Sequence, residues 1–97
     1  MKYSNIVRFI PKEGQFDDVV YLLSQPMDGM DGLIQNIIVK VDEKTCIGIG
    51  IWESEAHIAA ARPSMIKILD RVRDKLEIIS DEIGVTDPAS GPVIAEM

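Results

Sequence analysis

One tryptophan, one histidine and one cysteine set the limits of the chemistry open to this 97-residue chain. His57 is the only side chain whose ordinary pKa lies near neutrality, so proton transfer at neutral pH falls first to it. A lone helical histidine is also a common half-exposed boundary residue. Trp52, just before the helix that carries His57, offers a ring that stacks on a flat ligand and an indole N–H that donates. It serves equally as a core aromatic. Gly48 and Gly50 leave the strand face that carries Trp52 bare, which admits either a ligand or a closely packed helix. Asn5 and Gln35 are expected to point into the same space, where an amide orients a carbonyl or hydroxyl. Satisfying backbone groups is the plainer role for both. Arg62 is placed to pair with an anionic ligand or to form a surface salt bridge. Nothing marks Cys46 as reactive, and it reads as a small buried apolar residue.

The same counts exclude whole classes of site. A single cysteine rules out an intramolecular disulfide and a Cys-rich zinc site, and a single histidine rules out a multi-His metal site. No metal and no cofactor are expected. The net charge of −6, with no basic run and 5% aromatic residues, argues against a nucleic-acid partner. The N-terminus lacks a signal-peptide core, and no stretch approaches the ~20 apolar residues of a membrane span. A cytoplasmic protein of one domain, residues 1–97, is the expectation, and 46% apolar with 27% charged residues suits a globular fold.

Periodicity places the elements that must position these residues. Residues 3–10 have strand composition, ended by Pro11 and Gly14. Phe16, Val19, Val20 and Leu23 recur at helical spacing, with Asp17 and Asp18 suiting the positive end of that helix. Residues 33–41 and 46–53 read as a hairpin. A two- or four-residue turn sets Val39 opposite Gly48 and Gln35 opposite Trp52; only a three-residue turn flips the faces. Ser54 is the expected N-cap of a helix with Glu55 in its first turn. Pro63 predicts a break after Arg62, followed by a second helical section with Met65, Leu69, Val72, Leu76 and Ile79 in a stripe. Charges from Asp70 to Glu77 read as its solvated face, with Arg73 and Glu77 at i, i+4. Pro88 and Pro92 demote any last strand, about 92–97, to a sheet edge.

The order β-α-β-β-α-β predicts an α+β, ferredoxin-like fold: a four-stranded antiparallel sheet with both helices on one face. With the two- or four-residue turn, Val7, Phe9, Leu33, Ile37, Val39, Val41 and Trp52 share one face. Ile6, Ile10, Ile34, Ile38, Ile47, Ile49 and Ile51 share the other, where Arg8 and Asn36 add polar contacts. Two helices cover one face only, so the isoleucine face is expected to pair with a second copy as a homodimer; the tail folding over it is the alternative.

With this topology, the junction Ile51-Trp52-Glu53-Ser54-Glu55-Ala56 resembles that of antibiotic biosynthesis monooxygenase-type domains of the dimeric α+β barrel superfamily. The resemblance spans roughly Tyr3 to Ile79, with a looser match over Val93–Met97. It implies a ligand pocket between the sheet and its own helices, lined by the tryptophan, that takes a small, flat, partly apolar molecule such as an aromatic or polyketide-like one. It further implies cofactor-independent oxygenation, for which His57, by its own pKa, is the residue expected to move the proton. Where quinone-forming relatives carry an asparagine this chain has Gly48, and where heme-degrading relatives carry a histidine ligand it has Arg62. A non-catalytic binding or oligomerisation module of the same fold is the rival reading.

Overall fold

A computed structural model describes residues Met1–Met97. The chain runs β1 (Tyr3–Phe9), α1 (Phe16–Leu23), β2 (Leu33–Lys40), β3 (Cys46–Trp52), α2 (Glu55–Asp70), a 3-10 turn (Arg73–Lys75) and β4 (Asp87–Pro92). All strand pairs are antiparallel, in the order β2-β3-β1-β4. This is the predicted ferredoxin-like α+β arrangement. Val19 of α1 packs with Phe9 and Cys46, and Ile58 and Ala61 of α2 pack with Trp52. Those strand residues share one face, so both helices lie on that side.

The hairpin differs from expectation by one residue. Asp42 accepts hydrogen bonds from the Lys44 and Thr45 backbone N–H groups at 2.8 and 2.7 Å, an Asx turn. The Val41 N–H then donates to the Thr45 carbonyl at 3.0 Å and closes a three-residue loop. Because side chains alternate along a strand, this step turns most of β2 over. Ile37 now lies opposite Ile49, Val39 opposite Ile47, Ile38 opposite Gly48 and Asn36 opposite Gly50. A bulge between Leu33 and Gln35 returns Leu33 to its predicted face but opposite Trp52, the place expected of Gln35, and sets Gln35 opposite Ile51. Thus Ile38 and Asn36 join the helix-covered face, and Ile37, Val39 and Gln35 leave it.

The open face is laid out in cross-strand rows: Ala89-Ile6-Ile49-Ile37, Asp87-Arg8-Ile47-Val39 and Gly91-Ser4-Ile51-Gln35. Arg8 and Asp87 neutralise each other across 3.0 Å. Ile6, Ile37 and Val39 remain 39, 41 and 39% exposed. The tail does not cover them, since the Val93 N–H pairs with the Lys2 carbonyl along the sheet edge and Ile94 is 90% exposed.

The C-terminal half departs from prediction in three places. No break follows Arg62, because α2 continues through Pro63. The missing proline N–H frees the carbonyl of Ala59, which is exposed and open to water, while buried Ile58 and Ala61 anchor the helix. The helix stops at Asp70 rather than near Ile79, because the chain beyond it pairs instead with the end of β1: the Lys12 N–H donates to the Lys75 carbonyl at 2.8 Å and the Glu77 N–H to the Ile10 carbonyl at 2.7 Å. Val72 and Leu76 are buried as predicted, though not as helix. Arg73 accordingly pairs with Asp70 rather than Glu77. The last strand is Asp87–Pro92 rather than about 92–97, and it is an edge strand. Since Val93 bonds inward, Pro88, Ser90 and Pro92 face outward, and two of those three positions lack a donor.

Candidate functional site

Trp52 is held rather than presented. It is 1% exposed, and its indole N–H donates to the Asn5 side-chain oxygen at 2.6 Å. Gly50 makes this possible: a Cβ there would overlap the Asn5 oxygen and lie 3.0 Å from the Trp52 nitrogen. Tyr3, Met30, Leu33 and Met65 complete the packing around the ring. A hydrogen bond to the Glu55 carboxylate pushes the Tyr3 phenol above its usual pKa. Gly48 is different, for a Cβ there would meet Phe9 only at an ordinary 3.9 Å.

His57 is fixed at the start of α2. Ser54 caps the helix by accepting from the His57 backbone N–H at 3.3 Å, and its hydroxyl lies 2.7 Å from His57 Nδ1. Glu53 stands 3.7 Å from Nε2. The ring rests against the backbone of Gly32, whose φ of +86° together with this contact leaves no room for a Cβ. Arg62 is exposed on α2 and forms no ion pair. Cys46 is fully buried, and burial pushes its thiol pKa up, so it stays protonated.

A cleft of about 620 Å³ opens between the sheet and its own helices. Its apolar lining is Val20 and Leu23 of α1, Met27, Met30, Leu33 and Ile38 from the loop and β2, and Ile68 of α2. Arg71, expected on a solvated face, instead fixes one wall: its guanidinium donates to the carbonyls of Leu22, Gln25 and Pro26, each at 3.3 Å. That contact caps the C-terminus of α1, where a cation is favourable.

The sequence-predicted residues are therefore split. Asn5, Gly50 and Trp52 meet directly. Met30 and Leu33 touch both the Trp52 cluster and the cleft, so they stand between the two. None of Asn5, Gly48, Gly50, Trp52, His57 or Arg62 lines the cleft, and Gln35 lies on the opposite face of the sheet. Asn36, expected on the isoleucine face, lines it instead. The signal for Asn36 was the aspartate opening the turn, which favours an Asx turn and the odd loop length that follows.

No protein-family model and no curated protein matches the chain. Solved structures do. A protein from Chloroflexus aurantiacus J-10-fl, provisionally named an antibiotic biosynthesis monooxygenase, is 15% identical with a TM-score of 0.76, over 100% of this chain and 97% of that one. A dimeric ferredoxin-like protein from an uncultured marine organism is 14% identical with a TM-score of 0.74, over 99% and 90% of the two chains. SnoaB of Streptomyces nogalater, described as a cofactor-independent oxygenase and solved as a point mutant, is 9% identical with a TM-score of 0.65, over 99% and 96%. No helix is long and apolar enough to cross a membrane. The chain has the fold of proteins named as antibiotic biosynthesis monooxygenases, the same group that its strand-to-helix junction resembles.

Proposed function

We propose that residues 1–97 form one antibiotic biosynthesis monooxygenase-like domain that binds a small, flat, partly apolar molecule in the cleft beside β2. A copy of the chain covers the isoleucine face. The cleft carries this reading. Its volume of about 620 Å³ and its seven apolar lining residues match the usual size and character of small-molecule sites. Met27 and Met30 supply adaptable walls. The dimer is supported by the contiguous exposed apolar face, of the kind that marks association surfaces, and by the marine protein that shares the fold and is described as dimeric.

Binding alone is the role the geometry supports best, because no titratable side chain lines the cleft. Cofactor-independent oxygenation is the second reading, favoured by the fold shared with SnoaB. It requires a ligand that reaches past Met30 and Leu33 toward Trp52 and His57. Thermal shift with phenols, quinones and heme tests the binding, since a ligand of the folded state raises its melting temperature. Leu23→Trp, which fills the cleft, is expected to abolish any shift; a shift that survives it places the ligand elsewhere. Oxygen consumption unchanged in His57→Ala removes the proton-transfer role.

A further inference from the structure

The cleft lies in a chain of net charge −6, yet its lining contains no charged residue. The four residues of the lining outside the apolar set are Ser24, Gln25, Pro26 and Asn36. Two of these are already engaged: the Ser24 hydroxyl donates to the Val20 carbonyl at 2.6 Å, and the Gln25 amide donates to the Tyr21 carbonyl at 3.0 Å. The Asn36 amide makes no hydrogen bond within the chain and lies opposite Gly50, whose open side is taken by the Asn5 oxygen that accepts from Trp52. Arg71, which braces the wall at Gln25 and Pro26, points its donors at three backbone carbonyls.

Resting on the binding role proposed above, we infer that the cleft selects an uncharged ligand, an apolar ring system bearing a carbonyl or hydroxyl, and that Asn36 is the side chain that recognises that oxygen. An ionised group moved from water into this lining loses hydration and finds no opposite charge. The chain's negative field further disfavours an anion. A neutral carbonyl loses far less and gains the Asn36 N–H, while a hydroxyl can accept from that N–H or donate to the amide oxygen. The ligand therefore enters in its protonated, neutral form, and no lining side chain removes that proton.

A matched naphthalene series tests this by calorimetry at neutral pH: 2-acetylnaphthalene, 2-naphthol, 2-naphthoate, 2-(aminomethyl)naphthalene and naphthalene itself. The ketone and the naphthol are expected to bind at least about tenfold more tightly than the carboxylate or the ammonium, and several-fold more tightly than naphthalene. Asn36→Leu should remove the advantage over naphthalene while leaving the charge discrimination. Asn36→Asp should draw the ammonium in and weaken the ketone. Asn36 is exposed, so both variants keep the core intact. Carboxylate binding within threefold of the ketone, still abolished by Leu23→Trp, overturns the charge selection and leaves the binding site standing. An unchanged ketone-to-naphthalene ratio in Asn36→Leu overturns the role of Asn36. Failure of every member to bind overturns the cleft as a site, and this inference with it.

Discussion

On the helix-covered face Trp52 and Ile58 are 1 and 3% exposed, whereas across the same sheet Ile6, Ile37 and Val39 stay 39, 41 and 39% exposed. Both faces are built mainly from apolar side chains, so hydrophobicity alone does not separate them. What separates them is local fit. The covered face carries a glycine where another side chain must enter, Gly50, which admits the Asn5–Trp52 hydrogen bond. The open face carries branched side chains in every row of its centre, with its one ion pair already neutralised between Arg8 and Asp87. The first is shaped to close on this chain's own helices. The second is an apolar surface that this chain's own elements leave open.

This contrast breaks most sharply with substitutions matched across the sheet. Trp52→Ala on the covered face should cost about 3–5 kcal/mol in urea unfolding, the range for a large buried aromatic. Ile49→Asp on the open face should instead leave a folded monomer, read by size-exclusion with light scattering. If Ile49→Asp remains dimeric, the isoleucine face is not the interface. The two strand glycines sharpen the comparison at smaller effect. Gly50→Ala should cost about 1–3 kcal/mol, because its Cβ displaces a hydrogen-bonded pair in a packed core. Gly48→Ala, with its nearest neighbour at 3.9 Å, should change stability little. Equal costs at the two sites would place the constraint in the strand backbone, not in the Asn5–Trp52 contact.

Most of this architecture was legible in the sequence. The strand and helix order, the Ser54 cap, the burial of Val72 and Leu76 and the uncovered isoleucine face follow from periodicity and alternation. Three of the misses share a cause: a backbone or side-chain partner far away in sequence overruled the local pattern. Ile10 and Lys12 took the segment around Leu76 out of helix. The packed face of α2 held it straight through Pro63. Arg71 was drawn from an apparently solvated run to the end of α1. The candidate site was the least legible part, since its lining depends on which way β2 faces. A turn one residue different exchanged Gln35 for Asn36 and Ile37 for Ile38.

That turn yields the smallest effect and the most pointed one. The Lys44 and Thr45 N–H groups bonded to Asp42 hold its carboxyl below the usual value of 3.8. A carboxyl whose pKa falls on folding stabilises the fold above its unfolded pKa, and that contribution disappears as pH drops through the lower folded value. Asn at this position keeps the side-chain acceptor but does not titrate. Wild type should therefore be slightly more stable than Asp42→Asn from neutral pH down to about pH 4, and the difference should shrink below that as Asp42 protonates. Melting temperatures of the two proteins across this range provide the measurement. A pH-independent difference would mean that the carboxylate does not hold the three-residue loop. The orientation of β2, and with it the place of Asn36 in the cleft, would then depend on packing along the strand alone.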